Sequence, residues 1–494
     1  MNLNLTSKAG VISFSRLLVS LSSFFAAMIL SRYLTKNDYG SYRQTWLIYH
    51  TLMPLFLLGL PLSVNYFIPQ KSKSEQKAFN LQTYLLLVSS GFIFSLILFI
   101  SAPLISSLFN NPLLTQVLRI FSCIPLLALP AMYYQELLIC LNKPRLVAIL
   151  SSILSLFQFS AIVIPVLFGL GLTTIFSVLI FFYICRLILI SYSIFKPFSA
   201  ITINRQGSSI SHQLKYSIPI ALSTIIGSLT LQIDKFNIAS FFSTANFAIY
   251  ANGAFQIPLV GIITGSVAAV LMPEFVRLYQ KKNKERLIAT WHSSIRKIAL
   301  IIFPIMFFLL FFATEFITLL FSEDYVDSVI IFRIYLLALP VRITNFGMIL
   351  LAIGLSSLIF RYAVCTLLLN IVLNYVFIET IGFLGPAIAT VFSIYLIGYL
   401  QLRKTSVTFE LSIKDIFPWK ILLHIAVISG GVASLLFFIK IYFFRDAGIT
   451  SLFIGAILFS LLFFAGGIKT KLITNDDLKM PLRFFREICQ FKIK

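Results

Sequence analysis

Long apolar runs broken by short polar segments make up most of this chain. Gly, Pro and charge clusters divide it into candidate helices at about 11–33, 44–68, 80–105, 115–139, 146–168, 172–195, 214–241, 247–275, 298–321, 329–353, 358–378, 383–401, 419–439 and 447–468. A bilayer core takes about 20 apolar residues per helix, and the runs have that length. Membrane β-strands would be about ten residues long with apolar and polar positions alternating. These runs are apolar on all sides, so the pattern predicts helices. The expected fold class is an all-α polytopic membrane protein of about 14 transmembrane helices.

Composition agrees with the pattern. Of 494 residues, 59% are hydrophobic and 11% charged, against about 25% charged in a soluble chain. The net charge of +22 would suggest nucleic acid in a soluble protein. Here it reads as topology. With the N-terminus in the cytoplasm and loops assigned alternately, 28 Lys and Arg fall inside and 5 outside, as basic residues do in membrane proteins. Both termini are then cytoplasmic, and no nucleic acid is expected. The five cysteines include no CxxC pair, which argues against a disulfide framework or a zinc site. The first apolar run is too long for a signal peptide and lacks a small-residue cleavage site, so it reads as a retained span.

The chain also repeats itself. Ser31-Arg32-Tyr33-Leu34 parallels Ala239-Ser240-Phe241-Phe242, and Tyr39 and Tyr42 parallel Phe247 and Tyr250. Tyr66-Phe67-Ile68-Pro69 parallels Val270-Leu271-Met272-Pro273, and LLALP occurs at both 126–130 and 336–340. The matches keep their order at a near-constant offset, so spans 1–6 and 7–12 read as two copies of a six-helix unit. Six is even, so the copies share an orientation and should be related by a pseudo-two-fold axis along the membrane normal. The expected organisation is a bundle at 1–195, a cytoplasmic linker at 196–213, a second bundle at 214–402, two further helices at 403–468 and a basic tail at 469–494. Two like-oriented bundles leave a cleft that rocking opens to alternate sides, which is a transporter plan. No catalytic constellation is evident. The histidines His50, His212, His292 and His424 are scattered, and the outer loops are short. The reading is therefore not an enzyme, with a membrane glycan polymerase as the weaker alternative, and no cofactor or metal is expected.

One motif is more specific. Leu30-Ser31-Arg32-Tyr33-Leu34 followed by Asp38-Tyr39-Gly40-Ser41-Tyr42, with Ile233-Asp234-Lys235 and Tyr250-Ala251 later, resembles the polysaccharide transporter family. These are the Wzx-type lipid-linked oligosaccharide (O-antigen or capsule) flippases of the MATE/MOP superfamily. The resemblance covers most of residues 5–405. It implies movement of an undecaprenyl-diphosphate-linked oligosaccharide from the inner to the outer leaflet of a bacterial inner membrane, for O-antigen, capsule or exopolysaccharide synthesis. The implied partners are that glycolipid, membrane lipids and polysaccharide-synthesis proteins such as a polymerase or chain-length regulator. A lipid II flippase and a MATE-like drug exporter are the superfamily alternatives. A monomer is expected from the repeat.

A glycan headgroup would need a wet, cationic cleft, because an unpaired hydroxyl in hydrocarbon costs about 2–7 kcal/mol and charges at membrane depth usually face such a cavity. The basic candidates for substrate binding are Arg16, Lys235, Arg342, Arg186 and Arg43. Arg16 would hold a diphosphate or snorkel to the headgroups. Lys235 would meet the headgroup, and Asp234 would couple an ion gradient or fix helix packing. Asp234 and Lys235 point about 100° apart on a helix and need not pair. Arg342 falls near the middle of span 10, where snorkelling is least effective. Arg43 would help form an outer gate or meet lipid phosphates. Glu136 would join a coupling network or reach water, and Glu315 reads as a helix-end carboxylate reaching water. Asn370 and Asn374 share a face suited to interhelical hydrogen bonds. Arg119 and Arg333 read as interface anchors. Pro130 and Pro340, in the duplicated LLALP, would act as hinges or shape the cleft. The basic segments 277–297 and 481–494 should lie on the anionic inner surface.

Overall fold

A computed structural model describes residues 5–202, 209–443 and 448–474, with the side chains of 5–14, 16 and 443 left out. All regular structure among them is helical. Among the described residues, eleven helices are long and apolar enough to cross a membrane by length and composition, so the expected fourteen is not reached by that measure. The run 356–409 counts as one although it holds two helices, Ser356–Ile381 and Gly385–Phe409, and the first helix, Leu5–Tyr33, lies partly outside the described side chains. The stretch read as span 10 is not a continuous helix. It is broken into Ser328–Leu336, a turn at Val341–Ile343 and Gly347–Ala352.

The chain forms two compact units. One holds Met1–Ala251 with Leu367–Ala389, and the other holds Asn252–Thr366 with Thr390–Lys494. The helix Ile210–Phe241, expected from the sequence to open the second six-helix copy, lies in the first unit.

Within the first unit, the Asp38-Tyr39-Gly40 motif is a joint. Thr35 caps the helix Lys36–Leu57, accepting from the Asp38 amide at 3.1 Å, which satisfies one of the free donors of a helix start. One turn later Gly40 lies against the start of the helix Thr244–Gly253, and a Cβ there would sit 2.3 Å from the Thr244 carbonyl oxygen. Only glycine allows that approach. At the other end Leu58 and Gly59 both take positive φ, interrupting the second span, and a Cβ on Gly59 would meet the Ser217 carbonyl oxygen at 2.4 Å. Beside it, buried Gln213 donates to Ser63 (3.0 Å) and Thr83 (2.9 Å) and accepts from Gln82 (2.8 Å). Apolar side chains gain little by meeting one another in lipid, so small residues and interhelical hydrogen bonds carry much of the packing.

In the second unit the helices Trp419–Phe443 and Gly448–Lys469 pack on Lys284–Phe311 and its continuation through a cluster of Phe312, Leu436, Phe459 and Phe463. Lys440 forms an ion pair with Glu315, and both side chains are mostly buried. Glu315 is thus not the water-reaching carboxylate expected from its helix-end position. The carboxylate instead meets an ammonium that also lies over the Phe312 ring at 5.2 Å.

Gly40→Ala tests the joint. Overpacking at a contact this close costs about 1–3 kcal/mol, so the midpoint of thermal unfolding in detergent should fall. Gly227→Ala is the control, since a Cβ there meets nothing within 4 Å and should leave the midpoint unchanged or raise it. Equal midpoints for Gly40→Ala and wild type would show that the contact does not constrain the fold.

Candidate functional site

A cavity of ≈ 490 Å³ opens in the second unit. Three segments build it. The helix Thr244–Gly253 stops, and Phe255–Ile257 run without helical structure before Pro258 starts the next helix, Pro258–Gln280. Along that helix Gly261, Thr264, Gly265 and Ala268 line the cavity. Their spacing of three and four puts these small side chains on one face, which leaves room. Opposite lies the break in span 10. After Pro340 the backbone makes one 3-10 turn, then Thr344 is extended (φ −148°, ψ 160°) and Gly347 restarts a helix. Arg342, Thr344 and Asn345 of this break line the cavity, with Gln256 and Gln401 from its other walls.

The break is anchored from behind. The indole of fully buried Trp291 donates to the Thr344 hydroxyl at 2.9 Å. Asn345 Oδ1 accepts from the Gly347 amide at 3.1 Å, where the returning helix begins. Gly398 lets the third wall close in, since a Cβ there would lie 2.9 Å from Val341 Cγ1. Arg342 is half-buried and is the one charged residue among the described lining residues. The N-terminal end of Pro258–Gln280 also opens onto the cavity, and a helix N-terminus carries a partial positive charge. The cavity therefore presents a guanidinium, a positive dipole end, amides and hydroxyls, with no carboxylate among its described lining.

The other expected site residues lie elsewhere. Arg16 belongs to the helix Leu5–Tyr33, but its side chain is outside the described residues. Arg43, Asp234 and Lys235 come together at the joint of the first unit. Arg43 donates to the Tyr39 hydroxyl (2.8 Å) and the Ala251 carbonyl (3.0 Å). Next to Ala251, Tyr250 donates to Asp234 Oδ2 at 3.1 Å. Asp234 is fully buried and pairs with Lys235 at 3.5 Å. The sequence left open whether these neighbours pair, and here they do: the flexible lysine stem folds back over its own helix, also reaching the Leu231 carbonyl at 3.1 Å. Arg186 lies over the Tyr183 ring, 5.4 Å from its centroid. Glu136 is half-buried on the short helix Tyr134–Cys140, in electrostatic contact with Cys140.

Pro130 and Pro340 do occupy matching interruptions. Pro130 sits in the 3-10 turn Leu129–Ala131, between the helices Cys123–Ala128 and Tyr134–Cys140. The first is a mild irregularity and the second a full break. Asn374 donates to Asn370 of its own helix, to the carbonyl at 2.8 Å and to the side chain. The expected bond between helices is replaced by one within a helix. Arg333 is exposed and donates to the Leu310 carbonyl at 3.1 Å, and Arg119 is exposed over Phe99.

Length and apolarity define a multi-pass membrane protein, and comparison with known proteins places it further. The model of a family described as polysaccharide biosynthesis proteins matches residues 29–330, and the chain belongs to that family. The capsular polysaccharide biosynthesis protein CapF of Staphylococcus aureus is 24% identical over 196 residues, 38% of this chain and 48% of CapF. The chain thus spans about half the length of the curated relative it matches. Among solved structures, the lipid II flippase MurJ in an inward closed conformation aligns at a TM-score of 0.72 and 18% identity, over 93% of this chain and 98% of MurJ. An inward-facing MATE multidrug resistance transporter of the MOP superfamily aligns at 0.65 and 15%, over 80% and 96%. A MOP superfamily transporter from Pyrococcus furiosus, for which reverse polarity of the binding pocket suggests a different function, aligns at 0.60 and 15%, over 81% and 94%. The fold is that of the MOP transporters.

Asp234→Asn separates packing from coupling at the joint. Removing one partner of a buried ion pair costs about 3 kcal/mol, so the thermal midpoint should fall. Adding Lys235→Met removes the stranded charge and should restore most of it. If Asp234→Asn keeps full stability, the pair does not hold the joint together.

Proposed function

We propose that this chain is a flippase for lipid-linked oligosaccharide. It takes an undecaprenyl-diphosphate-linked glycan from the inner to the outer leaflet of a bacterial inner membrane by alternating access of its two six-helix repeats, 1–195 and 214–402. The termini are cytoplasmic and the working unit is a monomer, with polysaccharide-synthesis proteins as partners. The step is transport without chemistry. The observation that carries this reading is the Arg342 cavity, whose only charged described lining residue is a cation. A diphosphate is a dianionic, acceptor-rich group, and a guanidinium binds two phosphate oxygens in a fork. Broken helices flanking a site are where membrane transporters present helix ends and free backbone to a polar substrate. A cavity built for cationic drugs would carry acids instead. Membership of a polysaccharide biosynthesis family favours a glycan assembly intermediate over lipid II as the cargo.

Complementation of a strain lacking the gene tests the reading. Charge-assisted hydrogen bonds are worth about 1.5–3 kcal/mol, so Arg342→Ala should lower surface polysaccharide by about one to two orders of magnitude at wild-type membrane abundance. Arg342→Lys should retain an intermediate level. Normal surface glycan with Arg342→Ala would remove the observation on which the proposal stands.

A further inference from the structure

We propose that Gln401 and Asn345 form a sugar-reading subsite beside Arg342, one that hydrogen-bonds the hydroxyls of the sugar carried next to the diphosphate. The inference rests on the glycolipid reading above and extends it to the part of the cargo that a guanidinium does not recognise. It starts from the third wall of the cavity. On the helix Gly385–Phe409, Ile394, Ile397, Gly398 and Gln401 all line the cavity, and spacings of three and four put them on one face. Gln401 is the polar member of that face. It is only 9% exposed, yet its side chain makes no hydrogen bond among the described residues. Its amide atoms are not sealed inside the protein either, and they open into the ≈ 490 Å³ cavity. A buried amide without partners is unfavourable. The neighbours one and two turns away are isoleucines, which meet the needs of packing on this face without a polar group.

The break in span 10 brings a second amide to the same place. A Cβ on Gly347 would lie 3.4 Å from both Gln401 Nε2 and Asn345 Oδ1, so the two side chains converge over that glycine. Asn345 Oδ1 already accepts from the Gly347 amide. Its Nδ2 makes no hydrogen bond among the described residues and remains a donor at the cavity wall.

What binds there must both give and take hydrogen bonds. A side-chain amide offers two donors and an acceptor oxygen. A diphosphate only accepts, so it would meet Arg342 and leave the Gln401 oxygen unpaired. An alkyl tail would leave every one of these groups unpaired. A sugar hydroxyl donates and accepts, and the C–H faces of a pyranose fit the lining at Tyr335 and Phe346. A cavity of this size lies within the range of about 300–1,000 Å³ that holds small ligands, so a sugar has room beside the charged group. Arg342 and Asn345 belong to one break in the chain, so the sugar read is the one bonded to the diphosphate.

Gln401→Leu removes an amide that the protein itself does not use, so its thermal midpoint should equal or exceed the wild type's. The full-length protein in nanodiscs is titrated with two probes, undecaprenyl diphosphate carrying the host's oligosaccharide and undecaprenyl diphosphate alone. Wild type should bind the glycosylated probe more tightly, and Gln401→Leu should reduce that preference about fivefold, the value of one hydrogen bond. Gln401→Glu keeps the shape but sets a carboxylate near the diphosphate, so it should weaken both probes, and it decides the matter should Gln401→Leu fail to fold. The subsite is overturned if the preference survives in Gln401→Leu or if Gln401→Glu leaves both affinities unchanged. Wild-type protein that binds both probes alike overturns the subsite and leaves the flippase reading standing. Wild-type protein that binds neither probe overturns the flippase reading itself.

Discussion

In hydrocarbon a peptide backbone has no water to bond with, so a membrane chain stays helical unless it is buried in protein or lines a wet space. This constraint gives the second unit its meaning. Two of its spans abandon the helix, one at Phe255–Ile257 and the other between Leu336 and Gly347, and both interruptions face the same cavity. The wall between them is cut back to glycine, threonine and alanine. The second break is held by Trp291 from behind and by the Asn345 side chain at the next helix start. The irregular backbone, the volume and the cation at Arg342 are therefore one feature.

The basic groups at depth divide by what meets them. Arg43 bonds to the Tyr39 hydroxyl and the Ala251 carbonyl, and so contributes to holding the Lys36–Leu57 helix against Thr244–Gly253, while Lys235 is matched on its own helix by Asp234, which Tyr250 also meets. Lys440 is matched by Glu315 where the last two helices dock. Arg342 lines a cavity with no carboxylate in its described walls. A charge matched by the fold is accounted for by packing. A charge turned toward open, acid-free space is the better candidate for an anionic cargo.

Much of the architecture was legible in the sequence, because membrane helices announce themselves by length and apolarity. The duplicated LLALP drew attention to Pro130 and Pro340, and the helix is irregular at both, with a 3-10 turn at Leu129–Ala131 and another at Val341–Ile343. It could not say that the second copy opens into a break, since that depends on the Thr344, Asn345 and Gly398 contacts. Asp38-Tyr39-Gly40 was readable as a motif, yet its reason, a backbone approach to Thr244 that excludes any Cβ, exists only in three dimensions. The Glu315–Lys440 pair was missed because its members are 125 positions apart in the chain.

The central claim is that the break at Arg342 faces water. It is tested by placing single cysteines at Thr344, Asn345 and, as a control expected to face lipid, Val270, which is 74% exposed on the apolar Pro258–Gln280 helix, in a protein freed of its five native cysteines. Each is then treated in native membranes with a membrane-impermeant maleimide, from both sides. The account predicts labelling at 344 and 345 and none at 270. Break positions as unreactive as the control would contradict it.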